Sequence, residues 1–111
     1  MSAVATPFFW RDRHGYRHVP ARMETRHLFY TLRMIWNSTM PAAARLPGNV
    51  YSFGPTYTKD YMLNAIAAIA TELDMREDLT PDWEQQLQRM IDWLATHQLN
   101  RAEPAQIAET T

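Results

Sequence analysis

The fold is decided by residues 23–40, which read METRHLFYTLRMIWNSTM. Apolar side chains recur in this stretch with helical spacing and form one stripe on a single face: Leu28, Leu32, Ile35 and Thr39. The stretch is long enough for roughly four to five helical turns, a common length in a small domain. The sequence therefore predicts a first helix over residues 22–40, with this stripe in the core.

The same helix has a second side that is also apolar and aromatic. Its members follow the same spacing, roughly a third of a turn away: Met23, His27, Tyr30 and Met34. A helix that is apolar on two sides is either buried centrally or offers its second side to a partner. Two interpretations stay open, since the N-terminal segment or residues 46–57 could cover this ridge. Burial is favoured for His27, and exposure for Tyr30 and Met34.

A polar strip borders this second side and consists of three arginines and an asparagine: Arg22, Arg26, Arg33 and Asn37. Methionine adapts to irregular surfaces, and tyrosine and arginine dominate the energetics of many protein interfaces. The predicted partner-binding residues are therefore Arg22, Met23, Arg26, Tyr30, Arg33 and Met34.

The remaining chain predicts a helix-dominated α+β domain. Residues 8–19 favour a β-hairpin, because Asp12 suits the first position of a turn and Gly15 the last. Proline and glycine interrupt the region after the first helix, where residues 50–53 are a candidate third strand. Periodic apolar residues and helix-start signals predict two further helices. The predicted extents are 58–74 and 80–98 for these helices, 1–99 for a single domain and 100–111 for a disordered tail.

Composition excludes several classes of protein. A chain of 111 residues, 46% hydrophobic, is typical of one folded domain with its own core. It has no cysteine, so disulfides and thiolate metal sites are impossible. No secretory signal is recognisable, and no run of about 18 apolar residues predicts a membrane span. We therefore expect a cytoplasmic protein with no membrane contact.

The net charge of −1 conceals a marked polarity along the chain. Residues 1–50 carry seven arginines against two acids, a net charge of +5. Residues 51–111 carry four basic residues against ten acids, a net charge of −6. Such asymmetry points to a charged partner. The alternative is that the two halves neutralise each other in the folded chain.

Signals for catalysis or metal binding are weak. His14 and His18 could meet near the hairpin turn, with Asp12 and His27 as further ligands, but nearby arginines would repel a cation. An acidic cluster precedes the third helix, and its exposed position offers no dry pocket that would raise a carboxyl pKa: Asp74, Glu77, Asp78 and Asp82. We predict that the protein is not an enzyme and needs neither metal nor cofactor.

A nucleic-acid-binding surface is the second functional hypothesis. Arginines and aromatic residues alternate in the hairpin, a pattern that can combine phosphate contact with base stacking. The predicted nucleic-acid-binding residues are Trp10, Arg11, Arg13, Tyr16 and Arg17. The pI of about 6.4 and the near absence of lysine argue against it.

The preferred hypothesis is a non-enzymatic interaction protein. Small size, a single domain and the lack of a catalytic set suit an accessory or inhibitory protein, such as mobile elements and phages encode. We expect it to dock on a larger protein or nucleoprotein assembly and to regulate or inhibit it. Direct binding of RNA or DNA is the alternative, and homodimerisation is left open.

Overall fold

The computed structural model describes residues 8–97. A two-stranded antiparallel hairpin precedes three helices, so the fold is helix-dominated α+β, as predicted. The strands are β1 (Trp10–Arg11) and β2 (Arg17–His18), and the helices are α1 (Thr25–Thr39), α2 (Lys59–Asp74) and α3 (Pro81–Thr96). The tail predicted over 100–111 lies outside the described residues. No helix within residues 8–97 combines the length and apolarity that a membrane span requires.

The side chain of Asp12 organises the hairpin turn. Its Oδ1 accepts hydrogen bonds from the backbone N–H groups of His14 (2.9 Å) and Tyr16 (3.0 Å). Gly15 has φ +88°, a left-handed conformation that costs glycine little. The strands then pair Trp10 with His18 and Arg11 with Arg17. Asp12 and Gly15, the residues from which the turn was predicted, are thus the residues that form it.

Helix α1 begins at Thr25, later than predicted. Pro20–Arg22 forms a separate 3-10 turn, and Met23 and Glu24 are extended, with ψ of 145° and 147°. The cause is Pro20, which starts its own turn. Its carbonyl accepts the N–H of Met23 and closes that turn before α1 starts. Met23 consequently points into the core and is 7% exposed, so it does not share a surface ridge with Tyr30.

The core is formed mainly between α1 and α2. The predicted stripe of α1 is buried, since Leu28, Leu32 and Ile35 are fully inaccessible, and Phe29 and Trp36 are buried beside them. The buried side chains of α2 face them: Met62, Leu63, Ala65, Ile66, Ile69, Ala70 and Leu73. Thr58 and Thr80 cap α2 and α3, each accepting a backbone N–H through its hydroxyl.

The segment between α1 and α2 follows the surface of α1 without becoming a strand. Residues 50–53 have no strand pairing, which corrects the prediction of a third strand there. Side chains of α1 hold the start of this segment instead. The indole Nε1 of Trp36 donates to the carbonyl of Ala44 (2.8 Å), and Asn37 bonds both backbone groups of Leu46. Within residues 50–53, the carbonyl of Tyr51 likewise accepts a hydrogen bond from the Ser38 hydroxyl of α1 at 2.6 Å.

Candidate functional site

An arginine–aromatic cluster lies on the outer side of α1, centred on Tyr30. The phenol is 41% exposed, and the guanidinium carbons of Arg26 and Arg33 lie 5.7 and 5.3 Å from its ring centroid. From α3, Trp83 approaches the same ring edge-on, with centroids 5.6 Å apart. An exposed cation–π contact contributes about 0.5–1 kcal/mol. Tyr30 is therefore oriented by several neighbours while much of its surface stays in solvent.

Helix α3 fixes the position of Arg33. Nη1 of Arg33 donates to Oε1 of Gln86 at 3.3 Å. Nε2 of Gln86 in turn donates to Oδ2 of Asp82 at 2.9 Å. The guanidinium also lies 5.5 Å from the ring of Phe29, which stacks on Trp83 at 4.9 Å. Arg33 is thus half-buried and held on two sides. Since a guanidinium has five N–H donors, further donors remain for a ligand.

A groove of about 510 Å³ separates α1 from the following segment. Its walls and floor include His27, Tyr30, Arg33, Met34, Gly48 and Tyr51. Met34 is half-buried, His27 is exposed, and Tyr51 is 51% exposed. The structure therefore brings together Tyr30, Arg33 and Met34 of the predicted partner-binding set. Arg26 joins them through the Tyr30 ring.

Other predicted partner-binding residues lie elsewhere. Arg22 is exposed at the end of the 3-10 turn and is not part of α1. Met23 is in the core, so it cannot contact a partner. His27, for which burial was favoured, is exposed instead, and its ring lies 6.1 Å from that of His18. Neither the hairpin nor the following segment covers the outer side of α1 completely.

Two of the predicted nucleic-acid-binding residues serve the fold. Trp10 is 4% exposed and stacks on Tyr61, with centroids 5.8 Å apart, so its face is not free for a base. Arg11 lies against the rings of Tyr57 and Tyr61 and donates to the carbonyl of Thr56. Arg13, Tyr16 and Arg17 remain exposed, Tyr16 by 69%.

Two tyrosines of the α2 region anchor the hairpin. The hydroxyl of Tyr61 accepts the N–H of Arg11 (2.8 Å) and donates to the carbonyl of Phe9 (2.9 Å). The hydroxyl of Tyr57 donates to the carbonyl of Arg11 at 2.7 Å. Burial raises the pKa of Tyr61 above its usual value. Arg11 and Trp10 therefore belong to the contact that attaches the hairpin to Tyr57 and Tyr61.

Two ion pairs in the described part of the chain each join residues of one half. Asp12–His18, at 2.8 Å, lies in the basic half, and Glu72–Arg76, at 2.9 Å, lies in the acidic half. Neither involves Arg26 or Arg33. Arg26 and Arg33 of α1 contact aromatic rings, and Arg26 is exposed.

The histidine and acidic clusters offer little chemistry. His18 Nε2 lies 2.8 Å from Asp12 Oδ2, and this bond holds the pKa of the Asp12 carboxyl below its usual value. No group of three or more histidine or acidic side chains within residues 8–97 is arranged to hold a metal ion. Asp78, from the acidic cluster, accepts a hydrogen bond from Thr25 at 2.7 Å. These contacts stabilise the local structure.

Sequence reasoning missed the contributions of Trp83, Gln86 and the Gly48–Tyr51 region to the site. Trp83 is half-buried on α3, and only the contact between helices shows that its ring also orients Tyr30. The abundance of proline and glycine around residues 41–57 was the one available signal for a functional loop. Comparison with known proteins adds no family or fold relationship, since no family model, curated protein or solved structure matches the chain.

Proposed function

We propose that this protein is a non-enzymatic interaction protein that docks through the outer side of α1 on a larger protein or nucleoprotein assembly, and thereby regulates or inhibits it. An accessory or inhibitory protein of a mobile element is the kind of protein that this describes. The observation that carries the proposal is the arrangement around Tyr30. A half-exposed phenol is held by Arg26, Arg33 and Trp83, none of which covers it fully.

The physical argument is preorganisation. Interfaces concentrate their binding energy in a few tyrosine, tryptophan and arginine side chains at the centre of the contact. An aromatic anchor that is already oriented loses less conformational entropy when the partner arrives. Tyr30 has that property because neighbouring cations and rings restrict it, and the arginines beside it are available for carboxylates of a partner.

An affinity pull-down of the tagged full chain from native lysate, with and without nuclease, tests this proposal. We expect the partner to survive nuclease and physiological salt. Tyr30→Ala and Arg26→Ala should each weaken its recovery strongly, whereas Arg89→Ala should not, since Arg89 is an exposed arginine on α3 and lies outside the Tyr30 cluster. Loss of the partner on nuclease treatment would contradict protein docking.

Direct RNA or DNA binding is the second candidate, favoured by one observation. Arg13, Tyr16 and Arg17 are all exposed on the hairpin, and the Arg17 guanidinium lies 5.8 Å from the centroid of the Phe9 ring. These side chains could contact phosphates and one base. The burial of Trp10 and the internal contacts of Arg11 weaken this candidate, because they remove two of its five residues.

A further inference from the structure

The lining of the groove beside α1 includes the positive charge of Arg33 and no acidic side chain. His27 and Arg33 are among the residues that line it, and neither aspartate nor glutamate is among them. Arg26 adds a second guanidinium at its edge through the Tyr30 ring. With an effective dielectric constant well below that of water, a concave cationic site attracts an anionic group more strongly than a flat surface does.

Two N–H donors of α1 converge beside Gly48, which lines the groove. A Cβ atom at Gly48 would lie 3.6 Å from Arg33 Nε and 3.6 Å from Asn37 Nδ2. Gly48 has φ +137°, a conformation that favours glycine, and the missing side chain keeps this space open. An anion in the groove can accept a hydrogen bond from Arg33 Nε, because Arg33 bonds Gln86 through Nη1, whereas Asn37 is 1% exposed and its amide bonds Leu46.

The walls of the groove are apolar and aromatic. Tyr30, Met34 and Tyr51 line the groove together with Arg33, and Val50, 53% exposed, lies next to Tyr51 in the chain. A ligand that fits must therefore place an apolar side chain close to its anionic group. A peptide with Asp or Glu beside an apolar residue has this chemistry.

A nucleic-acid backbone fits less well. The chain of contacts from Arg33 through Gln86 ends at Asp82, and Glu84 follows on the same helix, so the acidic surface of α3 adjoins the groove. A strand with a charge at every nucleotide would pass close to these carboxylates. A peptide with one or two acids next to apolar residues avoids that repulsion.

We propose that the groove binds an acidic peptide segment of the partner protein. A carboxylate accepts a hydrogen bond from Arg33 Nε, and an adjacent apolar side chain packs between Tyr30, Met34 and Tyr51. This inference rests on the proposed function and specifies which chemistry of the partner the α1 surface recognises.

Selection from a displayed random peptide library on the full-length protein tests the inference. We expect the selected peptides to be enriched in Asp or Glu next to an aromatic or aliphatic residue. A synthetic peptide from the selection should bind Arg33→Gln at least about thirtyfold more weakly, the loss typical of a removed hydrogen-bonded charge pair. Arg33→Lys should recover only part of the affinity, because lysine lacks the planar fork.

Arg89→Gln is the matched control, since it removes one positive charge from an exposed position of α3 outside the groove. Its affinity for the peptide should equal that of the unmodified protein, and the thermal melt of Arg33→Gln should show that it is folded. No enrichment of acids, or equal binding by Arg33→Gln, would overturn the inference. Tighter binding of an oligothymidylate than of any selected peptide would overturn it in favour of nucleic acid.

The two proposals can fail separately. If the pulled-down partner survives nuclease and depends on Arg26, which does not line the groove, but is insensitive to Arg33→Gln, only the groove assignment is wrong. If nuclease removes the partner, protein docking itself is wrong, whatever the peptides do.

Discussion

The side-chain amide of Asn37 forms two hydrogen bonds with the backbone of Leu46, donating from Nδ2 to the carbonyl oxygen at 3.0 Å and accepting the N–H at Oδ1 at 2.8 Å. Both groups are buried, and Asn37 is 1% exposed. This pair holds the segment after α1 against the helix two residues before Gly48. The shape of the groove therefore depends on Asn37. From its position in the sequence, Asn37 was expected on the polar strip of the first helix.

Replacing Asn37 with alanine should destabilise the fold by about 2–4 kcal/mol, because it leaves a buried N–H and a buried carbonyl without partners. Chemical denaturation measures the loss. Ser38→Ala is the control on the neighbouring position, since Ser38 donates an exposed hydrogen bond to the carbonyl of Tyr51 and should cost about 0.5–1.5 kcal/mol. Equal small losses for both variants would show that water takes the place of the Asn37 amide at the backbone of Leu46.

The two sides of α1 should differ in their contribution to stability. Ile35 is fully inaccessible, so Ile35→Ala should lower the free energy of unfolding by about 2–5 kcal/mol. Met34 is only half-buried at the groove, and Met34→Ala should cost much less. Denaturant midpoints of the two variants, measured side by side, make the comparison. A similar large loss for Met34→Ala would mean that this side chain acts in the core, and it would remove Met34 from the partner surface.

The Asp12–His18 pair should make hairpin stability depend on acid pH. The pKa of Asp12 is lowered in the folded chain, chiefly by the hydrogen bond with His18. A lowered carboxyl pKa stabilises the fold above the usual aspartate value of about 3.9, and that stabilisation is lost as the pH falls through the folded pKa. Asp12→Asn should therefore melt at a lower temperature than the unmodified protein at neutral pH.

At a pH below the folded pKa of Asp12, the two melting temperatures should converge, since both proteins then carry a neutral side chain at position 12. Thermal melts recorded from neutral to acid pH test this. A difference that stays constant across the range would show that hydrogen-bond geometry at the turn, and not the charge of Asp12, is responsible.

Local signals in the sequence were sufficient for the hairpin and the three helices, because each is encoded by neighbours along the chain. The turn at Asp12 and Gly15, the caps at Thr58 and Thr80 and the apolar stripes of the helices all follow from short-range spacing. The start of α1 was wrong by a few residues, because Pro20 started a separate 3-10 turn before the helix.

The site was predicted less completely, because contacts between distant residues decide which faces are covered. Met23 and Asn37 look exposed or ambiguous on a helical projection, yet the chain before and after α1 buries both. Trp10 is of a residue type that stacks on bases, but the ring of Tyr61, fifty-one positions later, is stacked on its face. Periodicity along one helix contains no information about such partners.

Salt dependence separates the two functional candidates at the hairpin. If Arg13 and Arg17 contact phosphates, oligonucleotide affinity must fall steeply with salt, and replacing both with alanine should reduce the slope by about one unit for each lost contact. We expect instead that the purified protein binds single- and double-stranded oligonucleotides only weakly at about 0.15 M salt. Fluorescence anisotropy of labelled oligonucleotides over a salt series measures both quantities.

Arg45→Ala with Arg89→Ala is the matched control, because both are exposed arginines outside the hairpin. Tight binding that is strongly salt-sensitive, and that is weakened by the hairpin pair and not by the control pair, would reverse the choice and make nucleic acid the primary ligand.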